Sequence, residues 1–422
     1  MKKSLIFAAV AAVALSACSK VENYKVSQPE AISFGVYAGN AVNTKAVSAT
    51  DYGTVTTAIL QASDKGFGVF GYYTDNADYA SSTKANFMYN QQVTYDAGTT
   101  SWTYSPVKYW PNEHGASAVS TDVDKLTFLA YAPFVENFQI ATDNGVSIKD
   151  NQTTAAAATE GITAMTANNA TGDATLTFIV PASAENQIDL LYGVLGAQSI
   201  NVDGVAEGTV GGAIENLTKE KTGGKINILF KHALAKIAID IKDVVDAVDP
   251  TTTVDPASDG TKVVVESLTL KGTIGTSGKL NLYTGVWSDT ADEASFDVSP
   301  LPEAIYSGAT APTAYPAVTG VVESGLGAGN TIDLMVVPAT GAKITGVEIV
   351  YYVCTQDAQL DGGVSIVKNV ISKNLATAVT IEKGKQYGLN VLLGLTSVDL
   401  TATVENWTVD STTNVDLPKN VE

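Results

Sequence analysis

Along most of the chain, apolar and polar residues alternate with a period of two. Ile32, Phe34 and Val36 are separated by Ser33 and Gly35; Leu176, Phe178 and Val180 run beside Thr175 and Thr177; Ile332, Leu334 and Val336 stand beside Thr331 and Asp333. Near the end, Val398, Leu400, Ala402 and Val404 alternate with Asp399, Thr401, Thr403 and Glu405. Successive side chains of a strand point to opposite faces, so each run predicts a strand with one apolar and one wet face. Helical stripes are scarce, and the expected fold class is all-β, built from two-layer antiparallel β-sandwich domains. The apolar phase lies on even positions in Ile226, Ile228 and Phe230 and on odd ones in Ile237, Ile239 and Ile241. The buried face therefore switches within residues 231–236, which calls for a bulge or a sharp bend there.

Turn and loop clusters separate these runs. Thr222-Gly223-Gly224 ends a polar, charged segment, and residues 249–260, with Pro250, Pro256 and Gly260, read as an exposed loop. Residues 150–173, rich in alanine, threonine and asparagine, show no 3.6-residue stripe and read as another long loop. With about 400 residues beyond its first segment, the chain exceeds what one core usually serves. We expect one sandwich over residues 46–224 and a second over 225–422.

The N-terminus predicts export. Lys2 and Lys3 precede an uncharged apolar run over residues 5–15, too short to span a bilayer. It leads into Leu15-Ser16-Ala17-Cys18, which resembles the box read by the lipoprotein signal peptidase. Residues 1–17 are then a signal peptide, and Cys18 carries the acyl chains that tether the protein to a membrane.

The chain carries a formal charge of −19. Lys2 and Lys3 are the only charges in residues 1–17, so their removal takes it to −21. Such acidity argues against nucleic acid and anionic membranes as partners. Arginine is absent altogether, which removes the usual bidentate clamp for phosphate or carboxylate. With Cys18 assigned to lipid, Cys354 has no partner for a disulfide and reads as a small structural residue at the end of a strand.

Chemistry-bearing residues do not assemble into a catalytic pattern. His114, in Trp110-Pro111-Asn112-Glu113-His114-Gly115, reads as a turn residue, and His232, at the phase switch, as a packed residue with a satisfied ring. Asp122 with Asp124, and Asp357 with Asp361, lack the spaced acids and glycine of a calcium loop. Gly325, Gly327 and Gly329 lack the strand, helix and lysine of a phosphate loop. We therefore predict no catalytic residue, no metal and no cofactor. The aromatics Phe67, Phe70, Tyr72, Tyr73, Trp102, Tyr104, Tyr109 and Trp110 have two readings: filling the first core, or stacking on sugar rings at a surface.

Several pieces in order along the chain resemble the fimbrillins of type V pili. They are Ile32-Ser33-Phe34 followed by Thr44-Lys45-Ala46; Gly66-Phe67-Gly68-Val69-Phe70-Gly71-Tyr72; Trp102-Thr103-Tyr104 through Tyr109-Trp110-Pro111; and Leu126-Thr127-Phe128-Leu129-Ala130-Tyr131-Ala132-Pro133. Asp189-Leu190-Leu191-Tyr192-Gly193, Phe230-Lys231-His232-Ala233-Leu234-Ala235-Lys236-Ile237 and the closing Ala402 to Trp407 complete the set. The resemblance implies two transthyretin-like sandwiches and no catalysis. It also implies a lipoprotein precursor whose N-terminal strand is cut away at the cell surface and replaced by a strand of another subunit.

Carried onto this chain, the cut follows Lys45, makes Ala46 the new N-terminus and releases residues 18–45. The family often has arginine at that point; a chain with lysine there is open to a different protease, or to staying uncut as a pilus base or standalone lipoprotein. The donor is expected near the C-terminus, in the strand of Val398, Leu400, Ala402 and Val404 or in the tail over residues 409–417, unless both stay intramolecular. The implied partners are other fimbrial subunits in a homopolymer, with an adhesive role toward a host or glycan receptor. The competing reading is a lipid-anchored glycan-binding surface protein with an exposed aromatic platform.

Overall fold

The computed structural model describes residues 30–38, 57–62, 66–111, 124–136, 142–143, 146–147, 160–168, 170–196, 211–243, 261–299, 301, 331–394 and 397–407. Cys18, Lys45, Ala46, His114, Asp122, the glycine run 325–329, the loop 249–260 and the tail 409–417 lie outside them. In chain order the elements are β1 (Ser33–Ala38), α1 (Thr57–Ala62), β2 (Phe67–Tyr73), β3 (Met88–Asp96), β4 (Ser101–Thr103), β5 (Leu126–Ala132), β6 (Thr142–Asp143), β7 (Val146–Ser147), β8 (Gly161–Met165), β9 (Thr175–Ile179), β10 (Leu191–Leu195), β11 (Ile214–Leu217) and α2 (Lys219–Thr222). Then follow β12 (Lys225–His232), β13 (Ala235–Asp243), β14 (Thr261–Asn281), β15 (Trp287–Asp297), β16 (Thr331–Val336), β17 (Lys343–Gln356), β18 (Val364–Thr380), β19 (Lys385–Leu393) and β20 (Val398–Asn406). The fold is all-β, as the alternation predicts.

The first sheet has the order β1-β12-β10-β5-β2-β3-β4, with β11 against β5. It covers a core that includes Phe34, Phe67, Phe128, Ile226, Ile228 and Phe230. The second sandwich sets a four-stranded sheet, β16-β13-β19-β20, against a larger one, β18-β17-β14-β9-β8, with β15 on β14. Its core takes Ile237, Ile239, Ile241, Leu389 and Val391 together with Leu268, Leu270 and Ile349. Most pairings are antiparallel, but β1 runs parallel to β12 and β13 parallel to β19.

The phase switch marks the passage between the two sheets. β12 ends at His232, Ala233 and Leu234 cross, and β13 begins at Ala235 in the other sheet. The inner face changes parity because the chain bends at Leu234 and changes partners: of the bulge or sharp bend expected within 231–236, the structure has the bend. The expected boundary at Thr222–Gly224 coincides with the C-terminal cap of α2, where Gly223 adopts φ +60°. The strand that starts after it still belongs to the first sheet, and β8 and β9, from before it, belong to the larger sheet of the second sandwich.

The two halves are joined by packing. β5 is buried on both faces: Leu126, Phe128 and Ala130 enter the first core, while Leu129 and Tyr131 enter the second along with Phe70 and Tyr72. Part of the stretch read as a loop, Gly161–Met165, is strand β8; a register shift between Ile162 and Ala164 puts the buried Ile162 and Met165 three apart and hides the alternation. Tyrosines tie the seam: Tyr79 Oη donates to Asp173 at 2.8 Å, and Tyr89 Oη to the Thr166 carbonyl at 2.6 Å. Cys354 is buried in β17 against Val264 and Tyr352, and burial pushes its thiol pKa up. No helix among the described residues is long and apolar enough to cross a membrane.

Candidate functional site

The most distinctive local arrangement is the seat of β1. The strand lies at the sheet edge, paired in parallel with β12 from Ser33↔Lys225 to Ala38↔Phe230. Ile32, Phe34 and Val36 point into the core, each at most 6% exposed. Phe34 is the hub: its ring meets those of Phe67, Tyr104 and Phe128 at centroid distances of 6.0, 5.6 and 5.8 Å. These edge-on contacts stabilise beyond the area they bury.

The residues just before β1 are gripped from the other side as well. Ile32 N donates to the Lys108 carbonyl at 2.9 Å, Trp110 N donates to the Glu30 carbonyl at 3.0 Å, and Tyr104 Oη donates to the Ile32 carbonyl at 2.9 Å. Lys219 Nζ reaches Glu30 Oε2 at 2.7 Å, and Trp110 Nε1 donates to the Gly224 carbonyl at 3.1 Å. Two glycines allow the close approach. A Cβ on Gly35 would stand 2.2 Å from Asn227 Oδ1, and one on Gly224, at φ +83°, 2.1 Å from Glu30 Oε1.

β20 is held differently. It pairs antiparallel with β19 over nine residues, from Val398↔Leu393 to Asn406↔Lys385. Val398 and Leu400 are buried, Ala402 is half-buried and Val404 is 53% exposed. No described strand pairs with its outer edge; Lys373 of β18 approaches Asp399 at 3.8 Å. Beyond it, Trp407 is buried again. Its backbone N–H donates to the Gly384 carbonyl at 2.9 Å, and its ring stacks on His232 at 3.8 Å with planes 3° apart. His232 Nδ1 lies 2.7 Å from Asp189 Oδ2, and both side chains are buried. The histidine is packed and bonded as its sequence position suggested. Its two partners were visible only as members of separate motif pieces.

The remaining candidates fall elsewhere. Phe67, Phe70, Tyr72, Trp102 and Trp110 are buried, Tyr73 and Tyr104 are half-buried, and only Tyr109 of the group is exposed, so these rings fill cores and do not form a platform. Asp124 accepts from Tyr73 Oη at 2.8 Å, and Asp357 accepts from Gln359 N at 2.9 Å in the turn before β18. Among the described residues no three His, Cys, Asp or Glu side chains converge as a metal site would need.

The model of a family described as fimbrillin-like matches residues 44–407. Fimbrium subunit Fim1C of Phocaeicola vulgatus is 27% identical over 239 residues, a match covering 56% of this chain and 50% of that protein. The chain thus spans about half the length of this curated relative. A crystal structure of a fimbrial protein from Bacteroides vulgatus is similar over 90% of this chain and 100% of that one, with a TM-score of 0.60 at 21% identity, a likeness of fold.

Proposed function

Because the chain belongs to the fimbrillin-like family, we propose that it is a structural subunit of a cell-surface fimbria, joined to its neighbours by strand exchange. It is a structural protein and not an enzyme. The observation that carries the mechanism is the seat of β1: a terminal edge strand whose alternate side chains fill a closed aromatic core. Burying Ile32, Phe34 and Val36 is worth roughly 1.5–3 kcal/mol each. Together that is comparable to the ~5–15 kcal/mol by which a whole domain is stable. A cut after Lys45 followed by loss of β1 leaves this groove and the β12 edge open, and an incoming strand satisfies both.

In this reading Cys18 carries the precursor to the outer membrane, and the cut leaves Ala46 as the N-terminus. A C-terminal segment of another copy refills the seat. The donor is the run of Val398, Leu400, Ala402 and Val404 or the tail over 409–417. The test is the intact mass and N-terminal sequence of the protein sheared from its native cells. Polymers whose chains begin at Ala46 are expected. Monomeric, lipidated chains beginning at Cys18 would overturn strand exchange for this subunit.

A further inference from the structure

Asp189, His232 and Trp407 come from three separate stretches of sequence and meet where the chain crosses between sheets. Asp189 lies just before β10, His232 ends β12, and Trp407 follows β20. The same point is stitched by backbone bonds: Ala233 N donates to the Leu190 carbonyl at 2.8 Å, and Gly384 N to the Leu234 carbonyl at 2.9 Å. Gly384 in turn accepts from Trp407 N.

β20 has buried anchors at its two ends and little between them. Val398 and Leu400 hold the start and Trp407 the end, while from Thr401 to Asn406 only Ala402 is even half-buried. Without its far anchor such a strand frays from that end, because a wet ladder contributes little net stability. The anchor is also more elaborate than closing a strand requires. Any large apolar residue would bury comparable area, whereas a carboxylate and an imidazole are expensive to desolvate unless they satisfy one another. Asp189 fixes the imidazole plane, and the imidazole presents a flat face that matches the indole ring.

We propose that the Asp189–His232–Trp407 stack is a latch that keeps β20 seated in its own subunit, so that β20 leaves β19 only after the indole leaves His232. Its bearing on assembly rests on the strand-exchange reading, whereas the latch itself can be read in the monomer. Hydrogen exchange of the full-length monomer, compared with Trp407→Ala and Trp407→Phe, tests it. In Trp407→Ala the amides of 401–406 are expected to exchange at least tenfold faster, with β13 and β17 unchanged. Trp407→Phe, which keeps an aromatic face on the imidazole, retains most of the protection. Unchanged protection of 401–406 in Trp407→Ala would overturn the latch, as would an equal loss across β13, β17 and β20. Should Trp407→Ala fail to fold, Asp189→Leu, similar in size but without the acceptor that fixes the imidazole plane, is expected to loosen 401–406 selectively; no change there overturns the latch as well. Polymerisation of chains trimmed at Lys45 is scored separately. Failure of every variant to polymerise counts against strand exchange, while the exchange rates still decide the latch.

Discussion

β1 and β20, the first and last strands of the described chain, both lie at sheet edges and both alternate, yet their grip is opposite in kind. β20 has the longer ladder, nine pairs against six, but Val404 on its inward-alternating set is 53% exposed. β1 has the shorter ladder, and Phe34 beneath it is 2% exposed and ringed by three aromatics. A backbone hydrogen bond exchanged for one to water contributes about 1 kcal/mol or less net, whereas a buried phenylalanine contributes roughly 1.5–3 kcal/mol. Ladder length is therefore a poor guide to how firmly an edge strand is held.

The largest contrast is expected from Phe34→Ala, which should cost about 3–5 kcal/mol in urea unfolding. Next comes Gly35→Ala, whose new methyl group meets Asn227 Oδ1. A loss of about 1–3 kcal/mol is expected, with faster hydrogen exchange confined to β1 and β12; a loss spread to β20 would mean that the two ends are not independent. Third is the contribution of the seam tyrosines, which is whole near neutrality and is lost in alkali. Burial raises the Tyr89 pKa to about 12; Tyr283, just after β14, donates to Glu215 of β11, and that bond raises its pKa to about 12. These raised values favour the neutral ring in the fold, so their contribution is complete below about pH 10, the unfolded value, and is lost as pH climbs toward 12. Tyrosinate absorbance should lag behind free tyrosine and rise together with unfolding. Titration of these rings near pH 10 in an intact fold would contradict the burial of the seam. Smallest is Val404→Ala, expected within about 0.5 kcal/mol of wild type by the same urea measurement. If it instead matched Phe34→Ala, the contrast between the two strands would collapse.

The strands legible in the sequence were those with one wet face. Ile332, Leu334 and Val336, or Val398 and Leu400, announce β16 and β20 because polar neighbours mark the alternate positions. β5, buried on both faces, reads only as an apolar run, and β8 is masked by its bulge. The parallel pairings of β1 with β12 and of β13 with β19 were out of reach, since alternation reports half-burial and not the neighbour. The seat of β1 was half legible: the apolar triplet stood out, but the need for Gly35 and Gly224 to be bare follows only from the approach of Asn227 and Glu30. In the latch, His232 drew attention through the phase switch around it. Asp189 and Trp407 are 43 and 175 positions from it, too far for any local pattern to join them.

The crossover at Ala233–Leu234 also has a mechanical meaning. β12 lies between β1 and β10, and β13 between β16 and β19, so neither is peripheral to its sheet. Only two residues link them, and backbone bonds pin both: Ala233 to Leu190, and Leu234 to Gly384. Tension applied to whatever strand occupies the first seat is carried across the β12 ladder and passes through this link into the middle of the second sandwich, with no slack to uncoil in between. A fibre strung from such units would transmit load through each subunit as one continuous body, and its resistance to breakage would be set by the rate at which strands shear out of their seats.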